Sequence, residues 1–339
     1  MRVMGVCQPL GERGMSTVLH VGPSNSRGGM GSVIQLLDSE YPEGWNGELM
    51  PSHADGGWFA VLRAWWNVRR SLRKRLHQGG IDIVHIHTAS RWSWVRKRML
   101  IRIARKAKLP VILSIHSGDF DRHCMKNGKS VSAVCQDSGV YPVVLSNRWK
   151  QRLQQWIGES TVIPNPVPHV EPSVNRNRNS FLLMGRNVPM KGQKIVIDAA
   201  KILQQQGHQI ELHLAGFSSK DAAVINHGWV EKNEREELLS TCGTLLSPSE
   251  WEGLSMVVIE AMARGMPVLA SNASEGVFTK SGKIVERSPE AFASSMLQML
   301  DGDEWTEMAK MGPIEAERYD LSTIVRQWKT LYEKVVNES

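Results

Sequence analysis

Two glutamates, Glu252 and Glu260, carry the most chemistry in this chain, because a strand end, a loop, a helix and another strand are packed around them. They lie in the segment Ser247-Pro-Ser-Glu-Trp-Glu-Gly-Leu-Ser-Met-Val-Val-Ile-Glu-Ala-Met-Ala-Arg-Gly-Met-Pro-Val-Leu-Ala-Ser271. An apolar run from Thr244 to Ser247 meets Pro248 and a short polar loop, and a helical pattern then runs from about Ser255 to Arg264. Gly265 stops that helix, and Pro267 to Ala270 reads as the next buried strand. In such a unit the free backbone N–H groups at the helix start face the crevice at the strand ends, where anions bind. Glu252 then meets a ligand near the anion site, and Glu260, about a turn and a half into the helix, reaches hydroxyls farther along it. Glutamates also collect near helix starts simply because they complement the macrodipole, so spacing alone leaves both readings open.

The string as a whole resembles the signature of the family-4 retaining glycosyltransferases, enzymes of the GT-B fold, roughly P-S-x-x-E-G-x-x-x-x-x-x-E-A-M-A-x-G-x-P-V. It matches without a gap from Pro248 to Val268. The resemblance implies that Glu260 holds the ribose of a sugar nucleotide and that Glu252 lies by the donor sugar. It also implies that the backbone at Gly253, Leu254, Ser255 and Met256 faces the diphosphate. Ser255 stands where many members carry glycine; serine still exposes its N–H and can cap the helix.

Other elements fit the same chemistry. Thr17 to Val21 leads into Gly22-Pro-Ser-Asn-Ser-Arg-Gly-Gly-Met-Gly31 and a helical pattern from Ser32, and a glycine-rich turn there lets N–H groups approach an anion. Ile34 occupies the third glycine position of a dinucleotide fingerprint, which disfavours a nicotinamide cofactor. Gly28, Gly29 and Gly31 instead resemble the first-domain glycine loop of the glycosyltransferases. In Phe181-Leu-Leu-Met-Gly-Arg-Asn-Val-Pro-Met-Lys-Gly-Gln193 a strand ends in two cations, Arg186 and Lys191. Isolated loop cations are usually just solvated; here the resemblance assigns them to the donor diphosphate. His227-Gly-Trp-Val230 is a weaker match to a loop near the nucleotide base.

His116 ends the strand Pro110 to Ile115 and precedes Ser117-Gly118-Asp119. By itself it reads as a polar cap on a strand end, and the resemblance places it at the donor sugar. His85 and His87 alternate in Ile83-Val-His-Ile-His-Thr88 and share one strand face. That spacing suits a metal, but no carboxylate or cysteine accompanies it locally, so a structural role is expected. The resemblance implies sugar transfer with retention, no metal and no other cofactor, and a hexose-type donor with UDP favoured over GDP.

The elements that position these groups follow from composition and pattern. The chain has 339 residues, 41% hydrophobic and 22% charged, enough for two separate cores. Apolar strand runs alternate with helical stretches, which predicts an α/β protein of doubly wound parallel sheets. With the resemblance, the expectation is GT-B: two Rossmann-like domains facing across a cleft. The proline-rich Ile163-Pro-Asn-Pro-Val-Pro168 and the polar stretch after it mark the boundary. The expected division is an acceptor domain at 1–165, a linker at 166–179, a nucleotide-sugar domain at 180–318 and a terminal helix at 319–339 crossing back onto the first domain. Residues 1–14 read as an extension or a misassigned start, because Met15-Ser-Thr-Val-Leu-His begins where such enzymes usually begin.

The net charge of +7 is regional. Between Trp58 and Lys108 stand 14 Lys or Arg residues and one acid, Asp82, so that segment carries +13 and the rest of the chain −6. Val61, Trp65, Val68, Leu72 and Leu76 form one helical stripe, and Val95, Met99 and Ile103 a second with Arg98, Arg102 and Arg105 opposite. The stripes are expected to pack on the sheet. The charges attract anionic lipid headgroups or nucleic acid. Since glycosyltransferases of this type often use lipid-linked acceptors, the expected partners are a nucleotide-sugar donor, a saccharide or lipid-linked acceptor and an anionic membrane surface, with nucleic acid disfavoured. A non-enzymatic basic nucleic-acid- or membrane-binding protein is the alternative; it leaves Glu252, Glu260, Arg186 and Lys191 unexplained. No apolar run reaches membrane-spanning length, and Met1 to Met15 lack a signal-like apolar core. A cytoplasmic location, peripheral at the inner face of the cell membrane, is expected for surface polysaccharide or glycolipid synthesis. Cys7, Cys124, Cys135 and Cys242 form no C-x-x-C pair and read as reduced and structural.

Overall fold

The computed structural model describes residues 14–25, 28–52, 58–300 and 302–339, with side chains at 58–62 left out. Cys7, residues 1–13 of the expected extension and the Val61 side chain of the first stripe lie outside the described residues. The other three cysteines are buried and unbridged.

In chain order the first half forms β1 (Ser16–Gly22), α1 (Gly29–Asp38), β2 (Trp45–Pro51), α2 (Trp58–His77), β3 (Ile83–Thr88) and α3 (Trp92–Lys106). It continues with β4 (Val111–Ile115), α4 (Phe120–Cys135), β5 (Val140–Val144), α5 (Asn147–Ile157) and β6 (Thr161–Val162). The second half forms β7 (Asn177–Met184), α6 (Gln193–Gln205), β8 (Glu211–Ala215), β9 (Val224–Gly228), α7 (Lys232–Thr241) and β10 (Cys242–Ser247). Then come α8 (Met256–Ala263), β11 (Val268–Ala270), β12 (Gly282–Ile284), α9 (Pro289–Leu300), α10 (Asp303–Ala316) and α11 (Leu321–Asn337).

The strands make two six-stranded sheets, β2-β1-β3-β4-β5-β6 and β12-β11-β10-β7-β8-β9. Every pairing is parallel. Central strands such as β3, β4 and β10 are buried along their whole length, as parallel strands covered on both faces must be. In the first sheet the strand order reverses between β1 and β3, and in the second between β7 and β10. Ligands of doubly wound sheets bind outside the strand ends at such reversals. The glycine loop follows β1, Arg186 and Lys191 follow β7, and Glu252 follows β10.

One core of the first sheet is filled by Val68, Leu72, Trp94, Ile101, Phe120 and Leu153 from α2 to α5. Its other face is covered by α1 and by α11, whose Ile324, Trp328, Leu331, Tyr332 and Val335 pack on Val18, Ile83, Ile112 and Val143. The linker and α11 are stitched together where Val167 N–H donates to Tyr319 and Leu321 N–H to Val167.

The structure corrects several boundaries. β7 begins at Asn177, so the last three positions of the expected linker are strand: Asn177 and Asn179 are exposed at its outer end and Arg178 between them is half-buried. α1 begins at Gly29 rather than Ser32, which puts Gly29 and Gly31 in its first turn. Strands β2 and β9 escaped the pattern because as edge strands they are half-exposed and carry no continuous apolar run. On α3 the buried face is Trp94, Lys97, Leu100, Ile101 and Ala104, while Val95, Met99 and Ile103 are half-buried toward the neighbouring helix α2. Lys97, counted with the solvated cations, is fully inside the first domain and donates to Val21 O at 3.1 Å and to the Ser52 hydroxyl. Burial, with Arg96 nearby, pushes its ammonium down to about 7.

Candidate active site

The two loops at the reversal of the second sheet are bound to each other. Lys191, in a short 3-10 turn before α6, donates to the Glu252 carboxylate in the loop after β10; both side chains are largely buried. The same carboxylate accepts the Ser249 hydroxyl at 2.7 Å, and Glu250 N–H donates to Met190 O at 2.8 Å. Arg186 is exposed, and no carboxylate among the described residues pairs with it. The helix α8 begins at Met256. Ser255 occupies its N-cap, but its hydroxyl makes no capping hydrogen bond, contrary to the capping expected of it. The first N–H groups of α8 therefore stay open to an anion.

The first domain presses on this region from the opposite side. A Cβ on Gly118 would stand 2.3 Å from the Glu252 backbone, and one on Gly253 would stand 2.1 Å from the His116 carbonyl oxygen. Only glycine permits so close an approach of the two loops. Trp149 Nε1 donates to Gly253 O at 2.9 Å, Asn165 Nδ2 to Leu254 O at 3.4 Å and Arg148 to Asn272 O at 2.6 Å. Arg122 lies over the Trp251 ring at 4.3 Å. Across the cleft, Gly29 faces the start of α8, where a Cβ would meet Met256 at 3.4 Å. Gly28 is the N-cap of α1 and Gly31 is buried in its first turn.

Glu260 is buried inside α8 and paired with Arg235 of α7. Burial raises its carboxyl above the usual range against the pull of that guanidinium. Arg264 donates to the Glu260 carbonyl at 2.9 Å and pairs with Glu236, which ties α8 to α7. Glu260 is thus set apart from the Lys191–Glu252 pair and has its own cation. Arg235 was missed in the sequence because Lys-Asn-Glu-Arg-Glu-Glu reads as a solvated helix face. His227 hydrogen-bonds His213 at 3.0 Å and Glu234 at 3.1 Å.

His116 is half-buried at the end of β4 and held by His87, whose Nδ1 is 3.0 Å from its Nε2. Burial pushes the His116 ring down to about 4 although Asn165 favours its proton. Asn165 belongs to the proline-rich boundary string, whose composition carries no sign of a contact between the two domains. His20, His85 and His87 offer ligand atoms within 4.8 Å of one another. A metal must lie in the plane of every ring that binds it, yet His85 stacks on His87 at 4.2 Å and 24°, so the planes of those two rings run side by side. Both nitrogens of His87 are taken by His20 and His116, and His85 is tied to Ser114 at 2.8 Å. Asp119-Phe-Asp121 has the spacing of a metal-binding pair, but Asp121 is paired with Arg152, and Asp119 accepts from Ser90 and Ser117.

A second concavity, about 480 Å³, lies between the C-terminal halves of α2 and α3. Leu76, Met99, Ile103 and Ala107 line it, with Arg69, Arg73, Arg102, Lys106 and His77 around them. Nearby Arg75 is neutralised by Glu48 and Arg105 by Asp137. Among the described residues no carboxylate pairs with the four groove cations. Arg69 stacks on Trp65 and on the exposed Trp66.

Comparison with known proteins agrees with the geometry. The family described as "Glycosyl transferases group 1" matches residues 169–313, and "Glycosyltransferase Family 4" matches residues 46–171. An uncharacterized 41.2 kDa protein in the cps region of Klebsiella pneumoniae is 23% identical over 59% of this chain, and the match spans 62% of that relative's length. A phosphatidyl-myo-inositol mannosyltransferase of Mycobacterium leprae is 23% identical over 79% of this chain and 77% of its own. Among solved structures, a sucrose-phosphate synthase from Thermosynechococcus elongatus superimposes with a TM-score of 0.75 at 16% identity, covering 96% of this chain and 100% of the other. That likeness shows the fold, two facing Rossmann-like domains of the GT-B type.

Proposed function

This chain belongs to the group 1 glycosyltransferases, and from that premise we propose that it moves a hexose-type sugar from a nucleoside diphosphate to a saccharide or lipid-linked saccharide, with retention of configuration. UDP is favoured over GDP as the donor nucleotide. One observation carries the reading: the Lys191–Glu252 pair, the exposed Arg186 guanidinium and the start of α8, whose N-cap hydroxyl makes no capping bond, belong to the loops at one sheet reversal, with the His116 loop pressed against them.

Sugar transfer builds positive charge at the anomeric carbon and negative charge on the departing phosphate. Fixed positive groups aimed at that phosphate lower the barrier, and loss of one such group costs about 3 kcal/mol at comparable sites. Arg186, Lys191 and the first N–H groups of α8 supply that charge from the chain itself, which is why we favour catalysis without a metal. Glu252, released from Lys191 by the incoming diphosphate, then faces the sugar. Glu260 takes the ribose hydroxyls. Gly28, Gly29 and Gly31 form the opposite wall.

The name of the mycobacterial relative supports a lipid-borne acceptor, and the setting of the Klebsiella relative supports surface polysaccharide synthesis. Among the described residues no helix is long and apolar enough to cross a membrane. We place the enzyme at the inner face of the cell membrane through the basic groove of α2 and α3. Its apolar floor and four cations, which no described carboxylate neutralises, suit the phosphate and first methylenes of an anionic lipid, each cation adding about 1 kcal/mol near the surface. Thermal shift across UDP-, GDP- and dTDP-sugars tests the donor assignment. Stabilisation by one nucleotide class is the expected result; stabilisation by none removes the reading and favours the non-enzymatic alternative.

A further inference from the structure

Behind His116 runs a line of imidazoles that sugar transfer as described leaves unused. His87 Nδ1 is 3.0 Å from His116 Nε2, and His87 Nε2 is 3.2 Å from His20 Nδ1. His20 and His87 are 1% and 0% exposed, so water does not complete their hydrogen bonds. The rings lie edge to edge and close to coplanar, tilted by 29° with centroids 5.3 Å apart for His87 and His116, and by 20° at 5.5 Å for His20 and His87. Near His116, Asn165 Nδ2 donates to Leu254 O in the second domain at 3.4 Å. Three rings on β1, β3 and the end of β4 thus form one line that ends where the His116 carbonyl presses on Gly253.

A neutral imidazole carries one N–H and one bare nitrogen, so His87 must donate on one side and accept on the other. Only two arrangements satisfy both contacts. In the inward one, His116 donates from Nε2 to His87 and His87 donates to His20. The proton of His20 then sits on Nε2, which is buried and has no partner among the described residues. A buried N–H without an acceptor is costly. In the outward arrangement, His20 donates from Nδ1 to His87, His87 donates from Nδ1 to His116, and His116 carries its proton on Nδ1. No N–H is then buried without an acceptor: the unmet atom of His20 is a bare nitrogen, and the one N–H of His116 is left for the cleft.

We propose that His87 and His20 are positioning residues that hold His116 as the neutral Nδ1–H tautomer, so that it meets the cleft as a hydrogen-bond donor and not as a general base. The proposal rests on His116 facing the donor sugar, where an N–H can serve a sugar oxygen. It also removes His116 from the candidates for proton abstraction. His85, though stacked on His87, stands outside the line because its nitrogens face Ser114 and Tyr332.

Two-bond 15N–1H correlation on 15N-histidine-labelled full-length protein near neutral pH reads the tautomer directly, with His116→Gln assigning the signal. The expected result is a protonated Nδ1 and a bare Nε2 on His116. Replacing His87 with Phe removes both contacts; it shifts His116 toward the Nε2–H form and lowers kcat roughly tenfold or more, with donor KM unchanged. His20→Phe, one ring farther away, gives the same tautomer shift in weaker form and serves where the His87 variant does not fold. A wild-type His116 protonated on Nε2 or on both nitrogens overturns the proposal, as does an unchanged tautomer in both variants. Absence of transfer with every nucleotide sugar counts against the function and leaves the tautomer result standing.

Discussion

Lys191 and Glu252 neutralise each other across the two loops at the reversal of the second sheet, although the resemblance assigns one to a phosphate and the other to a sugar. Neither exposes much surface, so the pair is held within a preset geometry. An arriving diphosphate competes with a carboxylate for the same ammonium. Lys191→Ala therefore has two effects that Arg186→Ala does not share. It leaves Glu252 half-buried beside only the Ser249 hydroxyl, which lowers the melting temperature, and it removes a charge from the departing phosphate. Sugar transfer falls about a hundredfold or more in each variant. Arg186 is exposed, and no carboxylate among the described residues pairs with it, so its loss leaves stability within about 0.5 kcal/mol. Melting curves beside initial rates separate the two, and wild-type turnover in the Lys191 variant removes its role.

Glu260 and Arg235 form the second charged pair, its carboxylate buried and its guanidinium partly exposed. Truncating Arg235 leaves the Glu260 charge inside, at a cost of about 3 kcal/mol or more, whereas removing both costs less than the sum of the single losses. Glu260→Ala also weakens sugar-nucleotide binding, read by calorimetry. Unchanged affinity with a destabilised fold would make Glu260 a structural anchor of α8 and would reject the ribose contact.

How much of this could be read in advance depended on where the information resides. The parallel sheets are written in continuous apolar runs such as Ile83–Thr88 and Val111–Ile115, which carry their signal locally. The site loops were legible because Glu252, Lys191 and Arg186 belong to short contiguous strings. Their pairing was not, since Lys191 and Glu252 are brought together only by β7 lying beside β10. Arg235, Asn165 and the His20–His87–His116 line were lost for the same reason: each acts across strands or between domains. Lys97 went astray through length, because its stem crosses the core and hides a cation that composition counts as solvated.

The groove of α2 and α3 predicts a salt-sensitive attachment to anionic lipid. Neutralising Arg73 and Arg102 together, by substitution with Gln, lowers binding to vesicles containing phosphatidylglycerol about thirtyfold, from about 1 kcal/mol per cation. Changing Arg63 and Arg70, exposed on the same helix but outside the groove, removes equal charge and costs less. Cosedimentation of both variants with and without the anionic lipid measures the difference. Equal losses would reduce the groove to general basic character, and tighter binding to duplex DNA in the same buffer would favour the nucleic-acid reading.

Stability should fall on mild acidification, and the histidine line is the cause. Burial holds His20 down to about 3 and His116 down to about 4, and lowers His85 and His87 well below the ordinary value as well. In the unfolded chain these rings take up protons near 6.5. Below that pH the unfolded state binds protons that the native state refuses, so unfolding becomes easier as pH drops. The contribution is fully present above about 6.5 and is lost progressively toward about 4 for His116 and about 3 for His20, at up to about 1.4 kcal/mol per pH unit for each ring. Glu260, whose carboxyl is raised, acts in the opposite sense and offsets part of the loss as pH approaches its own range. Urea unfolding at several pH values between about 7 and about 5 gives the slope, and removal of one ring in His20→Phe should lower it by about one proton. A flat profile would mean that these imidazoles are already protonated in the fold, and the neutral line behind His116 would fall with it.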